Sequence, residues 1–159
     1  MPGRNLRQTV AMTDAEVEDF LALRHTMSVA TNGPNGWPHV VAMWYGFLDG
    51  APGFLTYRDA QKYRNIQRDP RVSCLVEDGD RYDNLRGVML RGRAEVVTDD
   101  EKRLILATNI TARYQGPLDQ AGIESVRASI GKRVALRIEV HDVATWDHRK
   151  LVAGPASTG

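Results

Sequence analysis

Between Phe54 and Glu77 the chain reads FLTYRDAQKYRNIQRDPRVSCLVE, setting Arg58, Lys62, Arg64, Asn65, Arg68 and Arg71 between two apolar runs. A strand that ends in Thr56 and feeds a helix near Ala60 turns backbone N–H groups and the positive end of the helix dipole toward one spot, a natural setting for an anion. Arg58 adds a bidentate fork, Lys62 a point charge and Thr56 a hydroxyl, so these three can hold a phosphate or a carboxylate-bearing ligand. The competing reading is a solvated helix face, which composition alone favours, because exposed arginine needs no special cause.

Other reactive residues point less sharply. His39, His141 and His148 offer imidazoles, but none is paired at helical i, i+4 or cysteine-rich spacing, so no metal site is expected. Cys74 alternates with Val72 and Val76 and reads as a small buried thiol rather than a nucleophile. Trp37 reads as core. Neither a Ser-His-Asp order nor a glycine-rich dinucleotide fingerprint is present, which leaves hydrolase and nicotinamide-fold chemistry without support.

The elements that must position these groups follow from periodicity and turn signals. TDAE at Thr13 to Glu16 has capping-box spacing and predicts a helix to about Arg24. TMSVAT follows as a strand, NGPNG as a turn, and WPHVVAMWYGFLDG as a strand apolar on both faces and so buried on both sides. GFLTY is the third strand. Asp59 to Arg68 has the length of a short helix that Asp69-Pro70 would stop. RVSCLVE, then LRGVMLRGRAEVV after a loop, are the fourth and fifth strands, the latter with a polar face of Arg91, Arg93 and Glu95. DDEKRLILATNITARY and AGIESVRASIGK read as helices, and the alternation from Val134 to Val140 as the last strand. Residues 1–12 and 152–159 lack periodicity and are expected to be tails around a single domain at 13–151. Six strands in hairpin succession favour a mainly β, α+β architecture: a six-stranded antiparallel barrel with peripheral short helices, not a doubly wound parallel sheet.

Bulk properties bound the function. With 159 residues, 42% hydrophobic and 26% charged, the chain suits one globular domain. A net charge of +1 provides no global field toward nucleic acid or anionic membrane, and the basic residues lack interleaved aromatics, so neither partner is expected. One cysteine, no signal-peptide segment and no run of about 18 apolar residues lead to an expectation of a cytoplasmic protein that does not enter a membrane.

The order of features in GFLTYRDAQKYRNIQRDPRVSCLVE, with PHVVAMWYGFLDG before it and GRAEVV and DDEKRLILATNITARY after it, resembles the pyridoxamine 5′-phosphate oxidase-like flavin-binding split β-barrel family, from roughly Thr26 to Leu151. The resemblance implies that Lys62 matches the lysine on the cofactor phosphate and Thr56 the residue closing the third strand. It also implies that Val41, Met43 and Trp44 flank the cofactor ring, and that Asn65 belongs to the cofactor-binding helix. The chain has Ala60-Gln61-Lys62 where the oxidase has Ser-Arg-Lys, has Gly87 where the oxidase has a glutamine, and lacks its substrate-gripping C-terminal pattern in WDHRKL. Together with KYRNIQRDPRVS, YDNLRGVMLRG and TWDHRKL, these departures look more like the branch that binds the deazaflavin F420. On that resemblance Arg58 stands in for the lost arginine, and Arg64, Arg68 or Lys150 meet the acidic tail. Family members are homodimers with cofactor sites between subunits, which implies that Trp146 approaches the ring from the partner chain. The implied function is an F420-dependent reduction of a small unsaturated or conjugated molecule. The alternatives are an FMN-dependent oxidoreductase of the same fold, or a non-catalytic flavin, deazaflavin or haem-binding protein. Hydride transfer needs little from side chains; Tyr45 and His39 are candidate proton donors, and Arg91 a candidate for polarising a substrate carbonyl. The loops 78–87 and 115–122 are the expected variable walls.

Overall fold

In the computed structural model, which describes residues 5–153, Thr13 opens a helix as its spacing dictates. Its hydroxyl accepts the Glu16 N–H at 3.2 Å while the Glu16 carboxylate accepts the Thr13 N–H at 2.7 Å, and this reciprocal cap starts α2 (Asp14–Ala22). A shorter helix, α1 (Leu6–Val10), precedes it. The expected N-terminal tail is therefore corrected from residue 5 onward: Val10 is buried, and the Met12 N–H donates to Thr145 Oγ1 at 2.9 Å. An apolar side chain spaced too sparsely to show periodicity still finds a hydrophobic partner. Residues 1–4 and 154–159 lie outside the described residues.

The strands are β1 (Met27–Asn32), β2 (Pro38–Met43), β3 (Gly46–Leu48), β4 (Ala51–Tyr57), β5 (Arg71–Asp78), β6 (Arg86–Val96) and β7 (Arg133–Asp147). They form one antiparallel sheet in the order β2-β1-β5-β6-β7-β4-β3, curled into a half-barrel. Seven strands replace the expected six because the apolar run after Trp37 breaks at Trp44-Tyr45. Its two halves occupy opposite edges of the sheet, so the chain must leave one edge and join the other within two residues. β2 is also not buried on both sides within the chain: Pro38, Val40 and Ala42 are exposed, while His39, Val41 and Met43 are half-buried. An edge strand reads as fully buried when both its faces are apolar, because periodicity cannot say what covers them.

The barrel interior is filled by Met27 and Val29 of β1, Phe54 of β4, Val72, Cys74 and Val76 of β5, Val88 and Leu90 of β6, and Leu136 and Ile138 of β7. Phe20 and Leu21 of α2 and Ile66 of α3 (Gln61–Arg68) join them. Outside the barrel, α4 (Asp100–Gln115) lays Leu106 and Ile110 against Leu48 and Ala135. It begins with Asp99 accepting the Lys102 N–H at 2.9 Å and ends at Gly116, whose φ of 97° suits only glycine. Helices α5 (Gln120–Ser129) and α6 (Arg149–Val152) complete the chain. Among the described residues no helix is long and apolar enough to cross a membrane.

Arg113, in the last turns of α4, ties the corner together. Its guanidinium donates to the carbonyls of Leu21, Ala22 and Leu23 at the C-terminus of α2 and to that of Tyr45, at 3.0–3.3 Å. It lies 4.7 Å from the centroid of the Tyr45 ring and 5.0 Å from that of Phe47. A cation against orphan carbonyls at a helix C-terminus satisfies both the acceptors and the dipole.

Gly87 of β6 pairs with Trp146 of β7, and a Cβ at residue 87 would overlap the Trp146 indole. The expected outcome of Gly87→Ala is a loss of about 1–3 kcal/mol in urea unfolding, as for an overpacked site, with much of it recovered when Trp146→Ala is added. Additive losses in the double variant would refute this packing account.

Candidate functional site

The curled sheet is closed at one corner and open elsewhere. β4 meets β3 through residues 51–53 and β7 through residues 53–57, so among the described residues no strand lies beside the edge of Phe54–Tyr57 that faces away from β7. Among the same residues the outer edge of β2 is likewise unpaired. Trp44 and Tyr45 force these two edges together at one end. From there they border a split, each carrying free backbone N–H and C=O groups.

Helix α3 spans the open end and binds β4 on one side and β1, the neighbour of β2, on the other. Lys62 Nζ donates to Thr56 Oγ1 of β4 at 3.2 Å, and Asn65 Nδ2 donates to Thr31 Oγ1 of β1 at 3.0 Å. Arg68 donates to the Asn32 carbonyl. Thr56 is buried and Lys62 half-buried. Burial alone pushes the Lys62 ammonium below its usual 10.5, with no carboxylate beside it among the described residues. The N-cap residue Ala60 provides no side-chain oxygen, and the Gln61 and Lys62 N–H groups have no protein acceptor among the described residues. A partly desolvated cation beside open helix N–H groups fits a phosphate or phosphodiester, so the residues present suit the cofactor expected here.

The other expected ligand residues divide. Val41 and Met43 line the inward face of β2 beside His39, whose Nδ1 is buried without a partner. Trp44 stacks on Tyr114 of α4, with ring centroids 4.7 Å apart and planes within 2°. Arg58 lines a groove of about 200 Å³ together with Tyr63, Arg103 and Arg133. The sequence pattern did not single out Arg103 and Arg133, because they come from α4 and β7 and meet Arg58 only in three dimensions. Asn65 is fully buried, its carbonyl accepting from Gln61 and Arg68 and its amide committed to Thr31, so it is a strut rather than a ligand group. Lys150 bridges the Ala11 carbonyl and Glu16, each at 2.6 Å, and is occupied at the α1–α2 junction. Trp146 packs over Gly87 on the outer face of the sheet.

The candidate catalytic groups fall in three places. Tyr45 is completely buried, its hydroxyl donating to the Leu21 carbonyl at 2.7 Å, and burial pushes its pKa up to about 12; it has no route to a ligand. Arg91 is ion-paired with Asp142 on the outer face of the sheet, in a groove of about 550 Å³ shared with Arg71, Arg93 and His141. His39 faces inward from β2. Trp37, expected in the core, is 80% exposed in the β1–β2 turn region. Cys74 is buried, its thiol pushed up to about 12 by desolvation. His148 sits against the Tyr82 carbonyl and His141 near Glu139, and among the described residues no three potential metal ligands converge.

A curled antiparallel half-barrel split along one side defines the split-barrel class of proteins, in which the same fold is found in an F420 reductase and in a FAD-binding protein from Mesorhizobium loti. Residues 13–147 match the pyridoxamine 5′-phosphate oxidase family, and the chain belongs to it. A conserved hypothetical protein from Mycobacterium tuberculosis is similar along its full length, with 41% identity, 98% of each chain covered and a TM-score of 0.89. An F420 reductase is 31% identical over 80% of this chain and 94% of its own, with a TM-score of 0.61. The haem storage protein HutZ from Vibrio cholerae shares the fold at 17% identity, covering 85% of this chain and 96% of its own, with a TM-score of 0.66. No curated protein sequence matches the chain.

Replacing the strut separates structure from binding. Asn65→Ala is expected to lower unfolding stability by about 2 kcal/mol, since the loss leaves buried partners unsatisfied. Unchanged stability in urea unfolding would return Asn65 to the ligand-binding set.

Proposed function

We propose that this protein is a reductase that uses reduced F420 to deliver a hydride to a small unsaturated or conjugated molecule. The observation that carries the reading is the half-buried Lys62, which among the described residues has no acid beside it and lies next to Thr56 at the open start of α3. The 31% identity with an F420 reductase supports the choice of cofactor. F420 supplies the hydride when bound. Lys62 and the first N–H groups of α3 hold its phosphodiester, and Arg58 with Arg133 adds positive charge at the adjoining groove. The free backbone edge from Val41 to Met43 offers donors and acceptors to the ring, and Trp44 offers a flat apolar wall. Tyr45 serves the fold, through its bond to Leu21, and is not a proton donor in this reading.

The reading includes a homodimer. Exposed Val40, at 59%, and Ala42 form an apolar strip on the outer face of β2, and Arg91 with Asp142 offers both signs of charge on the same side of the sheet. Sedimentation velocity is expected to give a dimer that Val40→Lys weakens; a monomer in the wild type would end this part of the proposal.

Fluorescence titration tests the cofactor. F420 is expected to bind at micromolar concentration or tighter, with Lys62→Ala and Arg58→Ala each weakening it about ten- to a hundredfold, the loss of a charge-assisted hydrogen bond. The charged ammonium is the binding form, and its pKa lies below the usual 10.5 in the free protein. Affinity therefore starts to fall, as pH rises, earlier than an ordinary lysine would allow. Tight FMN binding would move the protein to flavin chemistry. A Soret band on haem addition, with no F420 binding, would replace the reductase by a haem-binding role.

A further inference from the structure

Two tryptophans stand at exposed positions near β2, and they are treated differently. Trp37 is 80% exposed, and its indole makes no ring stack among the described residues. Trp44 is 47% exposed, yet one face of its indole lies flat on Tyr114. Tyr114 is itself fixed: its hydroxyl donates to the His25 carbonyl at 2.6 Å, accepts the Tyr45 N–H at 3.4 Å, and its ring lies 5.7 Å from the Arg113 guanidinium carbon. An exposed indole ordinarily samples several rotamers. Here the stacked Tyr114 ring, itself tethered to the chain before β1 and set beside Arg113, holds it in one orientation at the corner where β2 passes into β3.

We propose that Tyr114 is a positioning residue that presents the Trp44 indole as a stacking wall for a planar conjugated ring. The inference rests on the reading that the split holds a hydride-transfer site. A ring fixed in advance loses no rotamer entropy on binding, and offset stacking rewards flat π-systems over saturated rings of equal size. The site therefore takes flat, conjugated molecules. Two rings have this chemistry, that of the cofactor and that of the hydride acceptor, and competition separates them.

The test is calorimetric titration of 2-naphthol against decahydro-2-naphthol, which share a skeleton and a hydroxyl and differ in planarity. The wild type is expected to prefer 2-naphthol by about three- to tenfold. The preference disappears in Trp44→Leu, at an exposed site that leaves the core intact, and shrinks in Tyr114→Leu. Tyr114→Phe keeps the larger part of it, because the ring stack survives the loss of the hydroxyl tether; a tyrosine that acted only through its hydroxyl would show no such rescue. Tyr114→Gln replaces Tyr114→Leu if circular dichroism shows the latter unfolded. Equal binding of the two alcohols, binding of neither, or a preference that survives Trp44→Leu would overturn the stacking wall. A preference abolished by Trp44→Leu but unchanged in both non-aromatic Tyr114 variants would overturn the role of Tyr114. Repeating the titration with saturating F420 assigns the wall: displacement of 2-naphthol gives it to the cofactor ring, simultaneous binding to the acceptor. F420 affinity is measured independently, so loss of cofactor binding with the naphthol preference intact overturns only the reductase reading.

Discussion

β2 and β3 lie at opposite edges of one sheet, yet only Trp44 and Tyr45 separate them in the chain. Two residues span only a few ångströms, so the edges have to meet. That constraint curls the sheet, closes it at one corner and leaves it split along β2 and the outer half of β4. The corner is secured from inside and outside. Tyr45 plunges into the core and bonds the Leu21 carbonyl, while Arg113 gathers the last carbonyls of α2 together with that of Tyr45. Four carbonyls converging on one guanidinium, flanked by aromatic rings, lock α2, α4 and the corner into a single unit.

The split in turn explains the placement of the cations. Helix α3 is short and strongly basic, and it bridges the open end by polar bonds to β4 and to β1 beside β2, Lys62 to Thr56 and Asn65 to Thr31. The two contacts differ in kind. Asn65 is saturated by protein partners, as a buried amide must be. Lys62 keeps donor capacity beyond its single hydroxyl partner and has no acid beside it among the described residues. Arg64 and Arg68, on the same helix, are exposed, and Arg68 is spent on the Asn32 carbonyl and Asn65. The cluster that looked uniform along the chain thus divides into a half-buried cation, a buried strut, two arginines tied to protein oxygens and the exposed Arg58 and Arg64.

Much of this was legible beforehand. The Thr13–Glu16 box, the helix before Asp69-Pro70, the acidic start of α4 and the alternating strands are local signals, set by hydrogen bonds and side-chain periods within a few residues. The pairing of Lys62 with Thr56 was legible too, because strand end and helix start are joined by a short connection. The break at Trp44-Tyr45 was not. Both halves of that run are apolar, and nothing local marks the point at which a chain changes sheet edge. Val10 escaped for the opposite reason, as a lone apolar residue without a repeat.

The sequence by itself determined the antiparallel β-rich class, the existence and approximate place of α2, α3, α4 and α5, and the identity of the cationic helix between the third and fourth expected strands, since these depend on nearest neighbours along the chain. Tertiary structure alone decided that Asn65 and Lys150 are occupied and that Tyr45 is sealed in the core. It also decided that Gly87 exists to admit an indole and that Tyr114 backs Trp44. Each of these rests on a partner dozens of residues away in the chain. The availability of a donor, an acceptor or a ring face is a property of what packs against it, which spacing along the chain does not encode.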